Sequence, residues 1–311
     1  MIEVKDLTKK YGSFKALDKV SFEVKKGEVV GFLGPNGAGK TTTMRILTGY
    51  LPPSSGVAKV GGFNVLDDSL EIRKRIGYLP ENNPIYLDMD VDEFLKFIAK
   101  LKSVQREKRF KHINKIVDIC GLGEVQRSRI KSLSKGFRQR VGIAQALIGD
   151  PEYLIMDEPT IGLDPKQIIE IRELIKNLGK EKTIILSTHI LPEVSVTCSR
   201  VIIISRGNIV AQDTPGNLEN KVSGVAKVLL TVKGPADSIK DILTGISGVV
   251  NVEIVKRHED NLVDMEVESQ KEVDVRNKLA QVVVGNDWHL LEMRREVLGL
   301  EEIFLKLTTK E

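Results

Sequence analysis

The 311-residue chain has only two cysteines, Cys120 and Cys198, far apart and without a neighbouring Cys/His set. A disulfide scaffold and a zinc site are both disfavoured on that count, and a reducing compartment fits. Charge of one sign is also scarce. The 47 Lys and Arg stand against 43 Asp and Glu, for a net charge of +4. Spread over this length, that is a weak pull on nucleic acid or an anionic membrane. Long apolar runs are missing too. The longest aliphatic runs, such as Val201 to Ile204, hold four or five residues, against the ~18–20 needed to span a bilayer. The opening Met-Ile-Glu-Val-Lys-Asp lacks a basic-then-apolar pattern, so no signal peptide is expected. A role at a membrane is therefore expected to run through a partner.

With 29% charged and 41% hydrophobic residues, the chain has ordinary globular composition. Its length suits one large or two modest domains with a sizeable core. Ile2–Leu7, Val20–Val24 and Val29–Leu33 read as strands. A glycine-rich turn at Gly34–Gly39 leads into a helix from Thr41 to about Leu47. Gly56–Val65 returns to short β-structure, and Arg75–Leu79 reads as a further strand. Asp90 to Gly121 is helical in period, with Phe94, Phe97, Ile98 and Leu101 on one face. Strands at Tyr153–Met156, Thr183–Leu186 and Val201–Ile204 then alternate with helices at Gly136–Ile148, Lys166–Leu178 and Ile190–Ser199. Aliphatic, non-alternating strands separated by helices predict a parallel α/β sheet.

Composition shifts at Thr214–Gly224, where Pro215, Gly216, Ser223 and Gly224 punctuate the chain. The region beyond reads strand (Ala226–Val232), helix (Ala236–Thr244), strand (Val249–Lys256), strand (Leu262–Val267), helix (Lys271–Val284), strand (Trp288–Met293) and a last helix (Leu300–Leu307). A βαββαβ order predicts a small α+β ferredoxin-like sandwich. The boundaries expected are 1–217 for the first domain, with a helical subdomain at about 84–150, and 222–311 for the second.

Gly34-Pro35-Asn36-Gly37-Ala38-Gly39-Lys40-Thr41 matches G-x-x-x-x-G-K-[ST] in full, after a strand and at the start of a helix. The glycines let successive backbone N–H groups cradle phosphate oxygens, and the helix N-terminus adds positive potential. Lys40 would reach the β/γ-phosphates, and the Thr41 hydroxyl would ligate Mg²⁺. Tyr153-Leu-Ile-Met-Asp157-Glu158 is an apolar strand ending in two carboxylates. Asp157 suits Mg²⁺, held through water, and Glu158 suits a general base that polarises an attacking water. Alone, such a strand end is a common solvated edge; beside a phosphate loop the functional reading is the stronger. His189 follows another buried strand, where parallel strands present ligand-binding residues, though out of context it reads as a structural histidine. In Leu133-Ser134-Lys135-Gly136-Phe137-Arg138-Gln139, Ser134 is a good N-cap and Gly136 leaves the backbone open to a phosphate. On spacing alone this is equally a plain capped helix.

Together these segments resemble the nucleotide-binding subunit of ABC transporters over about residues 1–217. Gly34–Thr41 resembles Walker A, Tyr153–Glu158 Walker B with its catalytic glutamate, and Leu133–Gln139 the signature. Gly162-Leu163-Asp164 resembles the D-loop and His189 the switch histidine. Tyr11 resembles the aromatic residue that stacks on adenine. The resemblance implies a P-loop NTPase (RecA-like) core with an antiparallel β subdomain and a helical subdomain. It implies ATP and Mg²⁺ as ligands, bound by residues through Thr42 and closed by the residues matching Ser134, Gly136 and Asp164 on a second copy, or on a related ATPase, in a head-to-tail dimer.

Three positions depart from the family pattern. Lys135 stands in place of a glycine, Phe137 in place of the signature glutamine, and Glu81, in Gly77-Tyr-Leu-Pro-Glu81, in place of a glutamine. The loop of Glu81 would link the metal with the membrane partner. The closing Gly299–Thr308 run resembles ATPases that serve ABC-2-type exporters, and is equally an amphipathic terminal helix packed on its own domain. The basic stretch Lys102–Lys111 is read as a solvated helix face, with a phospholipid contact as the alternative. The expectation is an ATP-hydrolysing motor subunit on the cytoplasmic face of the cell membrane. It would drive a separately encoded integral-membrane permease, with no nucleic-acid partner. A soluble ABC-type ATPase acting on nucleic acid or ribosomes is the runner-up. It is opposed by the single cassette, the short interval from Thr41 to Leu133 and the absence of a Cys cluster. A ligand-sensing role for the second domain is the third reading; no pocket motif is legible there.

Overall fold

The computed structural model describes residues 1–222, 225–270 and 273–296. The chain forms two compact units, residues 1–215 and a second unit from Gly216 onward.

The first unit opens with β1 (Ile2–Tyr11) and β2 (Phe14–Val24), which pair as an antiparallel hairpin, then β3 (Val29–Leu33) and α1 (Lys40–Leu47). Next come β4 (Ser55–Val60), β5 (Phe63–Asn64), α2 (Ser69–Arg75) and β6 (Ile76–Leu79). The helices α3 (Val91–Leu101), α4 (Arg106–Ile119) and α5 (Lys135–Leu147) follow. Then β7 (Tyr153–Asp157), α6 (Pro165–Leu178), β8 (Thr183–Thr188), α7 (Leu191–Thr197), β9 (Arg200–Ser205) and β10 (Asn208–Asp213) complete the unit. An antiparallel sheet runs β2-β1-β4-β5, and a six-stranded sheet runs β10-β9-β3-β8-β7-β6. The five strands from β9 to β6 are parallel, with β10 antiparallel at the edge.

Every residue of β3, β7 and β8 is buried, as both faces of a covered parallel sheet require. Phe22 and Phe32 meet with ring centroids 5.4 Å apart, joining the two sheets in one apolar core with Leu17, Met44 and Ile155. The connection from β3 leads to the β6 edge of the sheet and that from β8 to β9 on the other side of β3, so the connections diverge between β3 and β8. Ligands bind at the carboxyl ends of strands at such a switch point.

The second unit starts with α8 (Pro215–Val222) and continues with β11 (Val225–Lys233), α9 (Ala236–Thr244), β12 (Val249–Arg257), β13 (Leu262–Gln270), α10 (Arg276–Gly285) and β14 (His289–Glu296). The sheet runs β12-β13-β11-β14, all antiparallel, which is the ferredoxin-like arrangement. Alternate residues Val228, Leu230 and Val232 of β11 and Val263, Met265 and Val267 of β13 pack on Ile239 and Leu243 of α9 and Leu279 and Val283 of α10.

The structure corrects several boundaries. The single helix expected over Asp90–Gly121 is two, broken where Ser103 takes a left-handed φ of 55°. Lys102 turns away there, and its Nζ donates to the carbonyls of Arg73 (3.0 Å) and Ile76 (3.2 Å). Leu101, expected on the buried face, is 65% exposed, because α3 ends at it. The helix expected from Lys271 begins at Arg276, whose backbone N–H is received by the Asp274 carboxylate at 3.2 Å. The helix expected over Ile190–Ser199 is Leu191–Thr197, since the Ser199 N–H is taken by the Val29 carbonyl at 2.9 Å. The strand expected from Arg75 starts at Ile76, Arg75 belonging to α2; β10 carries no strong pattern and was not expected. The helix expected at Leu300–Leu307 and the run Gly299–Thr308 lie outside the described residues.

Candidate functional site

Three chain segments leave the parallel sheet side by side. In the ladder Leu33 pairs with Thr188 and Asp157 with Ser187. One residue beyond each end, Gly34, Glu158 and His189 therefore emerge together. The Gly34 N–H donates to the Thr188 carbonyl at 3.3 Å, and the Glu158 N–H to the Ser187 carbonyl at 3.1 Å and Oγ at 3.2 Å.

The phosphate-type loop is held open by glycine conformations. Gly39, the N-cap of α1, has φ 109°, and a Cβ there would lie 2.7 Å from the Ala16 carbonyl oxygen and 2.7 Å from Leu17 Cδ2. Without a side chain at the cap, the first-turn N–H groups of α1 face the cleft, the arrangement that receives anions. No acidic side chain stands in that turn. Lys40, 6% exposed, turns back across the loop, and its Nζ donates to the carbonyls of Gly34 (2.7 Å) and Pro35 (3.2 Å).

Glu158 faces this ammonium. Its Oε1 lies 3.4 Å from Lys40 Nζ, and its Oε2 lies 2.9 Å from His189 Nδ1. The backbone at Glu158 has φ 50°, a left-handed conformation that costs a non-glycine residue about 1 kcal/mol or more. The two hydrogen bonds to Ser187 hold it there and aim the carboxylate into the cleft.

Asp157 is completely buried. Its Oδ1 accepts the Ser187 hydroxyl, while its Oδ2 has no hydrogen-bond partner. A buried carboxylate oxygen without a donor calls for a cation or water. Thr41, half-buried, follows Lys40 in the lining of the cleft and carries a hydroxyl. The donor set, one hydroxyl and one orphaned carboxylate oxygen beside a phosphate cradle, fits Mg²⁺. Across the ladder, burial and then the Asp157 charge push the Tyr78 phenol up to about 12, so it stays neutral beside the carboxylate.

Glu158, His189 and the phosphate-type loop line a cleft of about 600 Å³, while Asp157 and Tyr78 border the neighbouring groove. Asn36, Gly37, Gly39, Lys40, Thr41 and Thr42 line the cleft from the loop and the start of α1, with Glu158, His189 and Tyr11 from other segments. Glu81, exposed, borders it as well. Pro35 contributes its carbonyl to Lys40, and Ala38 is buried, with its carbonyl taken by the Gly207 N–H at 3.0 Å. Three expected site residues stand apart from the cleft. Ser134 caps α5, accepting the Phe137 N–H at 3.3 Å. Gly136 is buried against the Gln167 side chain, 2.5 Å from where a Cβ would lie. Asp164 caps α6 through the Gln167 N–H at 2.9 Å. Lys135, the departure from glycine, lays its ammonium over Gly162.

Some site residues escaped the sequence reading. Phe14, 61% exposed, adds a second aromatic ring to the cleft rim. The signal was its place opposite Tyr11, across the two-residue turn with Gly12 at φ 60°. Ser187 gave no motif, and Gln139 closed the signature-like run without a role of its own. Gln139 is buried and donates to the Pro159 carbonyl at 2.6 Å while accepting Asn83 Nδ2 at 2.9 Å. It thereby ties the loop of Glu81 to the segment after Glu158.

Residues 17–161 match the family model for ABC transporters. The chain is 33% identical over 310 residues to the linearmycin resistance ATP-binding protein LnrL of Bacillus subtilis, covering 99% of this chain and 98% of that one. This chain belongs to the ABC transporter family, as an ATP-binding subunit. It is 34% identical to the bacitracin transport ATP-binding protein BcrA of Bacillus licheniformis, over 99% of this chain and 97% of that one. A solved dimeric ATP-binding cassette, in a post-hydrolysis state with ADP and Pi, superposes with TM-score 0.63 and 27% identity, covering 69% of this chain and 98% of that chain. Membership makes the chain an ABC-type ATPase with a P-loop NTPase fold. Among the described residues, no helix is long and apolar enough to cross a membrane.

Proposed function

We propose that this chain is the motor subunit of an exporter, hydrolysing MgATP between two copies arranged head to tail and driving a separately encoded ABC-2-type permease. The observation that carries the reading is the position of Glu158. One carboxylate oxygen meets Lys40 at the phosphate loop and the other meets His189, with Asp157 one residue before it.

Tyr11 and Phe14 offer faces for the adenine ring. The first-turn N–H groups of α1 and Lys40 bind the phosphates, and nucleotide entry exchanges the Lys40–Glu158 contact for a Lys40–phosphate contact. Glu158, then freed from the ammonium, accepts a proton from the attacking water. His189 holds Glu158 in place from the other side and marks the position of the γ-phosphate. Mg²⁺ would be held by Thr41 and Asp157, with Glu81 as a further candidate, and supplies charge neutralisation of the phosphates when bound. Ser134, Gly136 and Asp164, absent from the cleft of their own chain, are the surfaces a second copy would bring over the nucleotide.

Export through a permease is supported by two kinds of observation. Two relatives over nearly the full chain are named for linearmycin resistance and bacitracin transport. A second groove of about 1240 Å³ in the same unit exposes Tyr50, Leu70 and Leu101 beside Arg73 and Lys74, and Glu81 borders both this groove and the cleft. A partner seated in that groove would act on the cleft through the Glu81 loop, at the cytoplasmic face of a membrane.

Mixing tests the composite site. Lys40→Ala and Ser134→Arg subunits should each be inactive alone. Their heterodimer should recover one intact site, because both lesions fall on the same interface. Heterodimers without ATPase activity would refute the head-to-tail arrangement.

A further inference from the structure

Glu193 is a buried carboxylate that the reading above leaves unused. It lies in the first turn of α7 and is 2% exposed. Its Oε1 accepts the hydroxyl of Thr160, and its Oε2 accepts the hydroxyl of Thr188 at 2.7 Å. The nearest cation is Arg172, with Nη2 3.9 Å from Oε1. Thr188 Oγ1 also receives the Ile190 N–H at 3.0 Å, so its hydroxyl is fixed as donor to Glu193 and acceptor from the backbone.

The placement of the two threonines gives this carboxylate its meaning. Thr160 lies two residues beyond Glu158, on the segment that leaves β7. Thr188 lies immediately before His189, at the end of β8. Glu193 therefore bridges the two segments that carry the 2.9 Å Glu158–His189 contact. A carboxylate can only accept, and each threonine hydroxyl has one proton to give. A carboxyl group with one oxygen for each hydroxyl satisfies both at once. The Thr188 carbonyl in turn receives the Gly34 N–H, so the same clamp reaches the start of the phosphate loop.

We infer that Glu193 is a positioning residue for ATP hydrolysis: by receiving Thr160 and Thr188 together, it holds His189 and Glu158 in register with the phosphate loop. This rests on the assignment of Glu158 and His189 above. In Glu193→Gln the amide –NH₂ must face one of the two hydroxyls. Thr188 Oγ1 already accepts a backbone proton, and Thr160 would have to turn its proton elsewhere. Either way the contact on that side persists only with its direction reversed, leaving a threonine proton without its carboxylate acceptor, whereas Thr160→Val and Thr188→Val each remove one strap outright.

The experiment measures steady-state ATPase activity and nucleotide affinity of the full chain for Glu193→Gln, Thr160→Val and Thr188→Val, with thermal unfolding to establish folding. A loss of register at the reacting groups should lower kcat by about 10–100-fold. KM for ATP and ATP affinity should stay within about twofold, since ground-state binding is untouched. Each loss should shrink to less than about twofold in a His189→Ala background, where the Glu158–His189 contact that the clamp holds together is already gone. If Glu193→Gln does not fold, the two near-isosteric threonine variants carry the same test. Unchanged kcat in the folded variants, or a full loss persisting in the His189→Ala background, overturns the inference. Glu158→Gln and His189→Ala separate the two readings. If both hydrolyse ATP normally, the assignment of the site fails. If both lose activity while the Glu193 and threonine variants match wild type, only the role of Glu193 fails.

Discussion

Replacing Glu158 by glutamine probes both the chemistry and the energetics of the cleft. Among the described residues, Glu158 is the carboxylate that meets both the phosphate-loop Lys40 and His189. Its removal should slow hydrolysis by roughly 10²–10⁴-fold, equivalent to about 2.7–5.4 kcal/mol on the barrier. Breaking a buried ion pair ordinarily destabilises by about 3–5 kcal/mol, because one charge is left unpaired. Lys40 is not left so, since the carbonyls of Gly34 and Pro35 still receive it at 2.7 and 3.2 Å, and the glutamine amide keeps an oxygen in the same place. The left-handed backbone at residue 158 strains glutamine no more than glutamate. The stability cost should therefore be only about 1 kcal/mol, the worth of one hydrogen-bonded contact. ATP affinity should be kept or raised, because Lys40 no longer has to leave a carboxylate to meet phosphate. Phosphate release, equilibrium binding of nucleotide and thermal unfolding read the three effects separately. With MgATP the variant should accumulate as a dimer on gel filtration. Near-normal turnover, or loss of ATP binding, would refute the reasoning.

Two further outcomes follow from charges near the cleft and the helical subdomain. Glu81 borders the nucleotide cleft as an anion, so chelating Mg²⁺ should weaken ATP binding more in wild type than in Glu81→Gln. Equal penalties in the two proteins would mean that the carboxylate points away from the metal. His112 Nε2 accepts the Gly149 N–H at 3.0 Å, and burial lowers its pKa from the ordinary 6.5. The folded state thus holds the neutral ring while the unfolded chain takes up a proton first. Stability should be full above the ordinary value and fall as pH drops below it, until the folded-state pKa is passed. Denaturant unfolding across that window in wild type and His112→Asn should show the slope only in wild type.

The phosphate loop was legible in the sequence because its function is a local backbone property. Gly37 and Gly39 take φ 78° and 109°, conformations that only glycine adopts freely, so the pattern of residues specifies the shape of the loop. The apolar strands before Gly34, Glu158 and His189 were equally legible, as was the βαββαβ order of the second unit. Side-chain chemistry at each strand end then gave candidate roles, and the resemblance of the whole set gave the family.

What tertiary structure decided was register. Nothing in the chain states that Asp157 pairs with Ser187 and Leu33 with Thr188, yet this pairing brings Lys40, Glu158 and His189 into contact. It also leaves one oxygen of Asp157 buried and free while the other takes the Ser187 hydroxyl. Phe14 reached the cleft through the geometry of a two-residue turn, and Gln139 and Glu193 through helices folding back on loops far away in sequence. The break at Ser103 was hidden for a related reason. Helical periodicity runs on through Leu101, while the anchor that turns the chain is Lys102 meeting two carbonyls of a distant helix end and strand. Residue spacing along a chain encodes local conformation directly. Contacts between segments depend on how the sheet aligns its strands, and that alignment is fixed only when the whole apolar core is assembled.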